Sequence, residues 1–137
     1  MESQLWEQRD ILIDDLRQIP NGILSLLEWN KDVTDLDALM KTPGGMQDVA
    51  GSCMLLLAIC EGFKKIDKLT EGSFLPMRKE IPWRAVFGLR NRIAHGYFDI
   101  DIEVVSEVIK SYLQPLLEAT NYFILYLTQD SSKICPK

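Results

Sequence analysis

Residues 46–69 read MQDVAGSCMLLLAICEGFKKIDKL, and the spacing of apolar residues along them sets the fold. Val49, Cys53, Leu56, Leu57, Cys60, Phe63 and Ile66 recur mostly at steps of three and four, the repeat that gathers side chains on one helical face. The spacing predicts one long helix from Met46 to about Leu69 with that face in a core. The apolar run inside it, Val49 to Cys60, contains Gly51 and Ser52 and falls short of the ~18–20 residues needed to cross a bilayer. It therefore predicts a core helix and no membrane span.

Towards the N-terminus, Leu5, Leu12, Leu16 and Ile19 lie on one helical stripe. Pro20 lacks an amide proton and crowds the preceding turn, so Ile23, Leu24, Leu26 and Leu27 are expected in a kinked continuation or a second short helix. Asp32 to Lys41 reads as a connector with one short helix, capped by Thr34 or Asp35 and ended by Pro43-Gly44-Gly45. Towards the C-terminus, Gly72 to Glu80 makes a basic, proline-containing crossover. Pro82 suits the first turn of a helix through Trp83, Val86, Phe87 and Leu89 to about His95, where Gly96 is placed to end it. Asp99, Asp101 and Glu103 favour the positive end of a final long helix. Val105, Val108, Ile109, Tyr112, Leu116, Phe123 and Leu127 form its inner face, with a bend at Pro115. No stretch alternates long enough to require a strand. The expected fold is all-α, an antiparallel four- to five-helix bundle formed by residues 1–130, with 131–137 as a flexible tail.

At 137 residues and 47% apolar the chain suffices for one core. Glu2, Glu7 and Asp10 stand where a secretion leader would be basic and then apolar, which predicts a cytoplasmic protein. Cys53 and Cys60, seven apart on one helix, lie about 10 Å apart along its axis, too far for a disulfide. With Cys135 and a single histidine they offer no close ligand pair, so neither metal nor cofactor is expected.

A net charge of −5 opposes broad, non-specific nucleic-acid binding, whose affinity comes from phosphate neutralisation. The charge is unevenly spread: residues 78–92 hold Arg78, Lys79, Arg84, Arg90 and Arg92 against Glu80 alone, a local +4 with −9 elsewhere. Any anionic ligand is expected on that segment. Beside it, Arg90-Asn91-Arg92-Ile93-Ala94-His95-Gly96-Tyr97 is the densest cluster of functional side-chain types in the chain. On a continuous helix Asn91, Arg92 and His95 would share a face, and Arg90 would reach His95 through its long side chain or meet its copy across a dimer. Imidazole can move a proton, and guanidinium can stabilise charge growing on a phosphate. One histidine supplies one of the two proton transfers that metal-free RNA cleavage needs, so a second group or a second subunit must supply the other. The same residues also suit a helix C-terminal cap flanked by surface arginines.

The segment Ile81 to Val108 carries Pro82-Trp83-Arg84, Gly88-Leu89-Arg90-Asn91, Ala94-His95-Gly96-Tyr97-Phe98 and Asp101 before Val104-Val105. It resembles the signature of the HepT-like branch of the HEPN superfamily, strongly over residues 81–108 and loosely from Met46 to Leu127. The resemblance implies a homodimeric helical bundle that sets two copies of an arginine–spacer–histidine motif side by side as a metal-independent endoribonuclease. Such a protein is the toxin of a type VII toxin–antitoxin pair. Arg90 and His95 match that motif with four residues between them, and Asn91 matches the polar residue after the arginine. Tyr97 matches the tyrosine that a partner minimal nucleotidyltransferase, the antitoxin, modifies with AMP. Arg84, Arg92, Arg78 and Lys79 are then expected to bind RNA phosphate. Glu61 is expected to support the cleft, although Cys60-Glu61-Gly62 departs from the Gly-Glu-Ala common at that place. Two other readings stay open. One is a non-catalytic module whose cleft holds a nucleotide or docks the nucleotidyltransferase; the other is a helical dimerisation domain built on Trp83 and Phe87.

Overall fold

Leu12, Leu16, Ile19, Ile23 and Leu26 line one buried stripe of a single helix, α1 (Arg9–Trp29). The computed structural model describes residues 7–96 and 99–129, without the side chains of 94–96. Expectations resting on Leu5, Tyr97, Phe98, Cys135 and the tail 131–137 lie outside the described residues. Pro20 does not interrupt α1. Its missing amide and its ring cost about 3 kcal/mol in a helix interior. Full burial of Ile23 and Leu26 beyond it returns about 1.5–3 kcal/mol each, so packing carries the helix through.

After α1 comes α2 (Leu36–Leu39), whose first turn is capped as expected: Asp35 Oδ1 accepts from the amides of Asp37 at 3.0 Å and Ala38 at 3.3 Å. Pro43-Gly44-Gly45 does not close this region but opens the long helix α3 (Pro43–Leu69). Pro43 takes the first-turn position where a missing amide is harmless, and Thr42 Oγ1 accepts from the Gly45 amide at 3.0 Å. Gly45 is needed for contact rather than flexibility, since a Cβ there would sit 2.0 Å from the Leu39 carbonyl oxygen. Along α3, Val49, Cys53, Leu56, Ile59, Cys60, Phe63 and Ile66 are buried, and Leu57 is half-buried. The helix runs antiparallel to α1, with Asn30 against Ser52 at one end and Asp15 against Lys65 at the other.

A 3-10 turn (Leu75–Arg78) follows, its Leu75 and the preceding Phe74 fully buried, and then α4 (Trp83–Phe87) and α5 (Leu89–Ile93) separated by Gly88. Here the observed chain departs from the expected helix to His95: α5 ends at Ile93, and β1 (Ala94–Gly96) pairs antiparallel with β2 (Asp99–Ile100). Ala94 faces Ile100 and Gly96 faces Asp99. This short ladder sits inside an otherwise all-α bundle.

Asp101 then caps α6 (Ile102–Ser111) by accepting from the Val104 amide at 3.2 Å. The last helix among the described residues, α7 (Leu113–Thr128), begins after a break at Tyr112. The break lies three residues before Pro115 because the proline is then in the first turn, where amides have no intrahelical partner. One inner position moves as a result: Tyr112 is 40% exposed, whereas Val105, Val108, Ile109, Leu116, Phe123 and Leu127 are buried. α7 lies antiparallel to α1, tied where Arg9 Nε donates to the Leu127 carbonyl at 2.7 Å. Among the described residues no helix is long and apolar enough to cross a membrane.

Two glycines of α3 should respond oppositely to alanine. Gly45→Ala is expected to lose about 2 kcal/mol or more by forcing α2 and α3 apart. Gly51→Ala, where an added Cβ meets nothing within 4 Å, is expected to gain about 0.5–1 kcal/mol from helix propensity. Thermal melts of the two variants beside the parent chain check both signs.

Candidate functional site

Leu89 and Ile93, one turn apart and 5% and 0% exposed, pin α5 to the core. Because successive helical residues advance by about 100°, Arg90 and Arg92 must leave on the two flanks of that helix and Asn91 on its crest. All three are exposed, as are Arg84 on α4 and Lys79 before it. No ion pair joins Arg84, Arg90, Arg92 or Lys79 to an acid among the described residues. Arg78 differs: its Nε lies 2.6 Å from Glu80 Oε2, and its guanidinium sits 5.0 Å from the centre of the Tyr122 ring. The Glu80 carboxyl is held below its ordinary pKa by its backbone hydrogen bond first and by Arg78 second.

Aromatic packing fixes where these cations stand. Trp83 is nearly buried, with its ring centre 5.1 Å from that of Phe63 and 6.1 Å from that of Phe123, and its Nε1 donates to the Arg78 carbonyl at 3.1 Å. That one side chain ties the 3-10 turn, α3, α4 and α7 together, leaving Arg84 beside it facing water.

His95 follows α5 without belonging to it. The Asp101 amide donates to the Ile93 carbonyl at 2.7 Å, so the chain from 94 to 100 is closed at its base and the His95 backbone lies in β1. Asn91, Arg92 and His95 therefore do not share a helical face, and Gly96 pairs with Asp99 instead of capping the helix. The side chain of His95 and all of Tyr97 lie outside the described residues. Glu61 is exposed on α3 and has no ion pair with the basic segment.

Beside α5 runs a groove of about 190 Å³ between α4–α5 and α6–α7. Its walls are largely apolar, with Pro82, Val86 and Leu89 on one side and Val108, Tyr112 and Leu116 on the other. Arg92, Ser111 and Glu80 add polar groups to the lining. Sequence periodicity did not expose this groove, because it placed Tyr112 in the core one turn after Val108 and one turn before Leu116. Only the nearby proline hinted that the register shifts there.

The two described thiols have no catalytic character. Burial, and secondarily Glu61, pushes Cys60 from 9.0 up to about 12, and burial also raises Cys53. Nucleophilic cysteines need the opposite shift. No group of three or more metal-ligating side chains occurs among the described residues.

The family described as ribonuclease HepT-like matches residues 45–123, a span that holds every candidate site position from Glu61 to Tyr97. Comparison with curated proteins and with solved structures finds no match.

Two outcomes follow for the charged and thiol groups. Arg78→Gln should cost about 1 kcal/mol in stability, since it loses a carboxylate and a ring contact, and should leave RNA affinity near that of the parent. Arg90→Gln and Arg92→Gln should each lower the slope of log affinity against log salt by about 0.7 on single strands. For the thiols, a Cys135→Ser chain should be inert to a disulfide reagent at pH 8 when folded and react at Cys53 and Cys60 once denatured. Because the native state holds a proton on Cys60 that the unfolded chain releases, stability should fall as pH rises above 9, and Cys60→Ala should flatten that fall.

Proposed function

This chain belongs to the ribonuclease HepT-like family, and we propose that it is a metal-independent endoribonuclease toxin acting through Arg90 and His95. Family membership implies a HEPN-type ribonuclease. The observation that carries the finer reading is the presentation of Arg90, Asn91 and Arg92, exposed and without acid partners, on a helix whose end leads within two residues to the only histidine.

In the proposed reaction a base takes the proton from a ribose 2′-hydroxyl. The 2′-oxygen forms a bond to phosphorus, the bond from phosphorus to the 5′-oxygen breaks, and an acid protonates that leaving oxygen. The products are a 2′,3′-cyclic phosphate and a 5′-hydroxyl. Arg90 stabilises the charge gathering on the phosphate oxygens, and Asn91 orients the phosphodiester. Arg84, Arg92 and Lys79 hold the flanking backbone. Arg78 stands behind them, its charge shared with Glu80 and Tyr122, and Glu61 is a supporting polar group.

One histidine per chain serves as either acid or base, and the proposed site is a homodimer in which the second copy completes the cycle. Tyr97, two residues after His95, is the proposed acceptor of AMP from a minimal nucleotidyltransferase antitoxin. The added phosphate would repel RNA, and the nucleoside would fill the cleft.

Purified protein is expected to cleave RNA in the presence of a chelator, with cyclic phosphate ends. Arg90→Ala and His95→Ala should each reduce the rate by about 100-fold or more. Equal cleavage by all three preparations would refute the assignment. Incubation with ATP and the nucleotidyltransferase should add the mass of one AMP per chain, and Tyr97→Phe should abolish the gain. Nucleotide or nucleotidyltransferase binding without cleavage would favour the non-catalytic module.

A further inference from the structure

We infer that the groove beside α5 is a nucleobase subsite that holds one unstacked base of single-stranded RNA while Arg92 binds the adjoining phosphate. The inference rests on the ribonuclease reading and adds the strandedness of its substrate.

Four features of the groove lead there. Its free volume of about 190 Å³ is below the ~300–1,000 Å³ of pockets that enclose drug-sized ligands, which suits one planar ring better than a whole cofactor. Its walls are apolar, and the exposed aromatic ring bordering it, Tyr112, is held out of the core by the break between α6 and α7. Arg92 lines the same groove without an acid partner among the described residues. Glu80, the acid in the lining, is already engaged by Arg78 at 2.6 Å and so does not oppose an anion there.

An apolar slot with an unpaired cation complements a nucleotide, in which a ring with low-polarity faces adjoins a phosphate. An apolar peptide would leave Arg92 without its charge partner. In a duplex, bases are stacked on their neighbours and their faces cannot enter a slot, so occupation requires single-stranded RNA. The groove offers few groups to read base edges: the hydroxyl of Ser111, that of Tyr112, which donates to Glu107 Oε1 at 3.5 Å, and the Glu80 carboxylate, whose Oε2 is held by Arg78. Recognition is therefore by the face of the ring and tolerates any base. Arg90 leaves the opposite flank of the same helix, so the strand runs from the groove across α5 towards the cleaved phosphate.

The test uses the full chain carrying His95→Ala, so that bound RNA stays intact, and an RNA oligonucleotide with one internal 2-aminopurine. Stacking in the groove should quench its fluorescence saturably when the oligonucleotide is single-stranded and not when it is annealed. Tyr112→Ala, and Ala85→Leu at an exposed position that fills the groove, should each weaken binding about 10-fold, whereas Tyr112→Phe should retain it. Circular dichroism confirms that each variant is folded.

Quenching unaffected by Tyr112→Ala and Ala85→Leu, or equal with the duplex, overturns the subsite. So does a change of oligomeric state in Ala85→Leu, which would mean that a second copy of the chain fills the groove. The two readings fail separately. His95-dependent cleavage with groove variants indistinguishable from the parent removes the subsite alone. Tyr112-dependent quenching by a wild-type chain that leaves RNA uncut removes the nuclease and keeps the subsite.

Discussion

The burial of Leu89 and Ile93 is the constraint on which the functional surface depends. Five residues cannot hold a helix in water by their own hydrogen bonds, because nucleation is unfavourable and the ends remain unsatisfied. α5 exists because those two side chains are nearly or fully buried, together worth about 3–6 kcal/mol of removed apolar surface. Once they are fixed, the directions of the three residues between them are settled. Two guanidiniums and an amide must then face water whether or not a ligand is present.

That anchoring is reinforced from both sides. Trp83 fills the junction of α3, α4 and α7 and uses its indole proton on the Arg78 carbonyl. At the other end, the Ile93 carbonyl would be an unsatisfied helix terminus were it not for the Asp101 amide eight residues later. The two supports divide the arginines into kinds. Arg78 is absorbed into the scaffold by Glu80 and Tyr122, while Arg84, Arg90 and Arg92 have no acid partner among the described residues. Composition alone shows five cations in that segment; packing distinguishes them.

The helices were legible where periodicity ran long. α3 repeats its apolar step from Val49 to Ile66, nearly five turns, so local pattern and tertiary burial agree there, whereas the single helix α1 through Pro20 depends on burial that the local pattern does not contain. Legibility failed where one residue type serves two local structures. Gly96 suits a helix cap and a strand end alike, and the contact that accompanies the strand pairing, between residues 93 and 101, is not local. Pro43-Gly44-Gly45 reads as a terminator by composition, but its tight glycine answers to the Leu39 carbonyl, which no spacing rule contains. Arg90 and Arg92 were legible as part of a cationic segment, but the face was not: α5 ends at Ile93, so Asn91 and Arg92 do not share a helical face with His95. The groove was not legible, because it depends on which way Tyr112 turns at a helix break.

The acidity of the remaining chain bears on how such a site would select RNA. With −9 outside the basic segment, phosphates that stray from α4 and α5 meet repulsion within a Debye length of about 8 Å at physiological salt. The four cations without an acid partner among the described residues, Arg84, Arg90, Arg92 and Lys79, can release only a few counterions, so electrostatics alone would give an affinity too weak to hold RNA against competing ions. Binding then has to draw on something that salt does not screen. Apolar contact with a base has that property, and it is available only where bases are already unstacked. The charge distribution and the groove thus constrain the same choice: a surface poor in cations gains by engaging a strand whose rings are free, and its discrimination against duplex comes from the cost of unstacking rather than from contacts to the paired form.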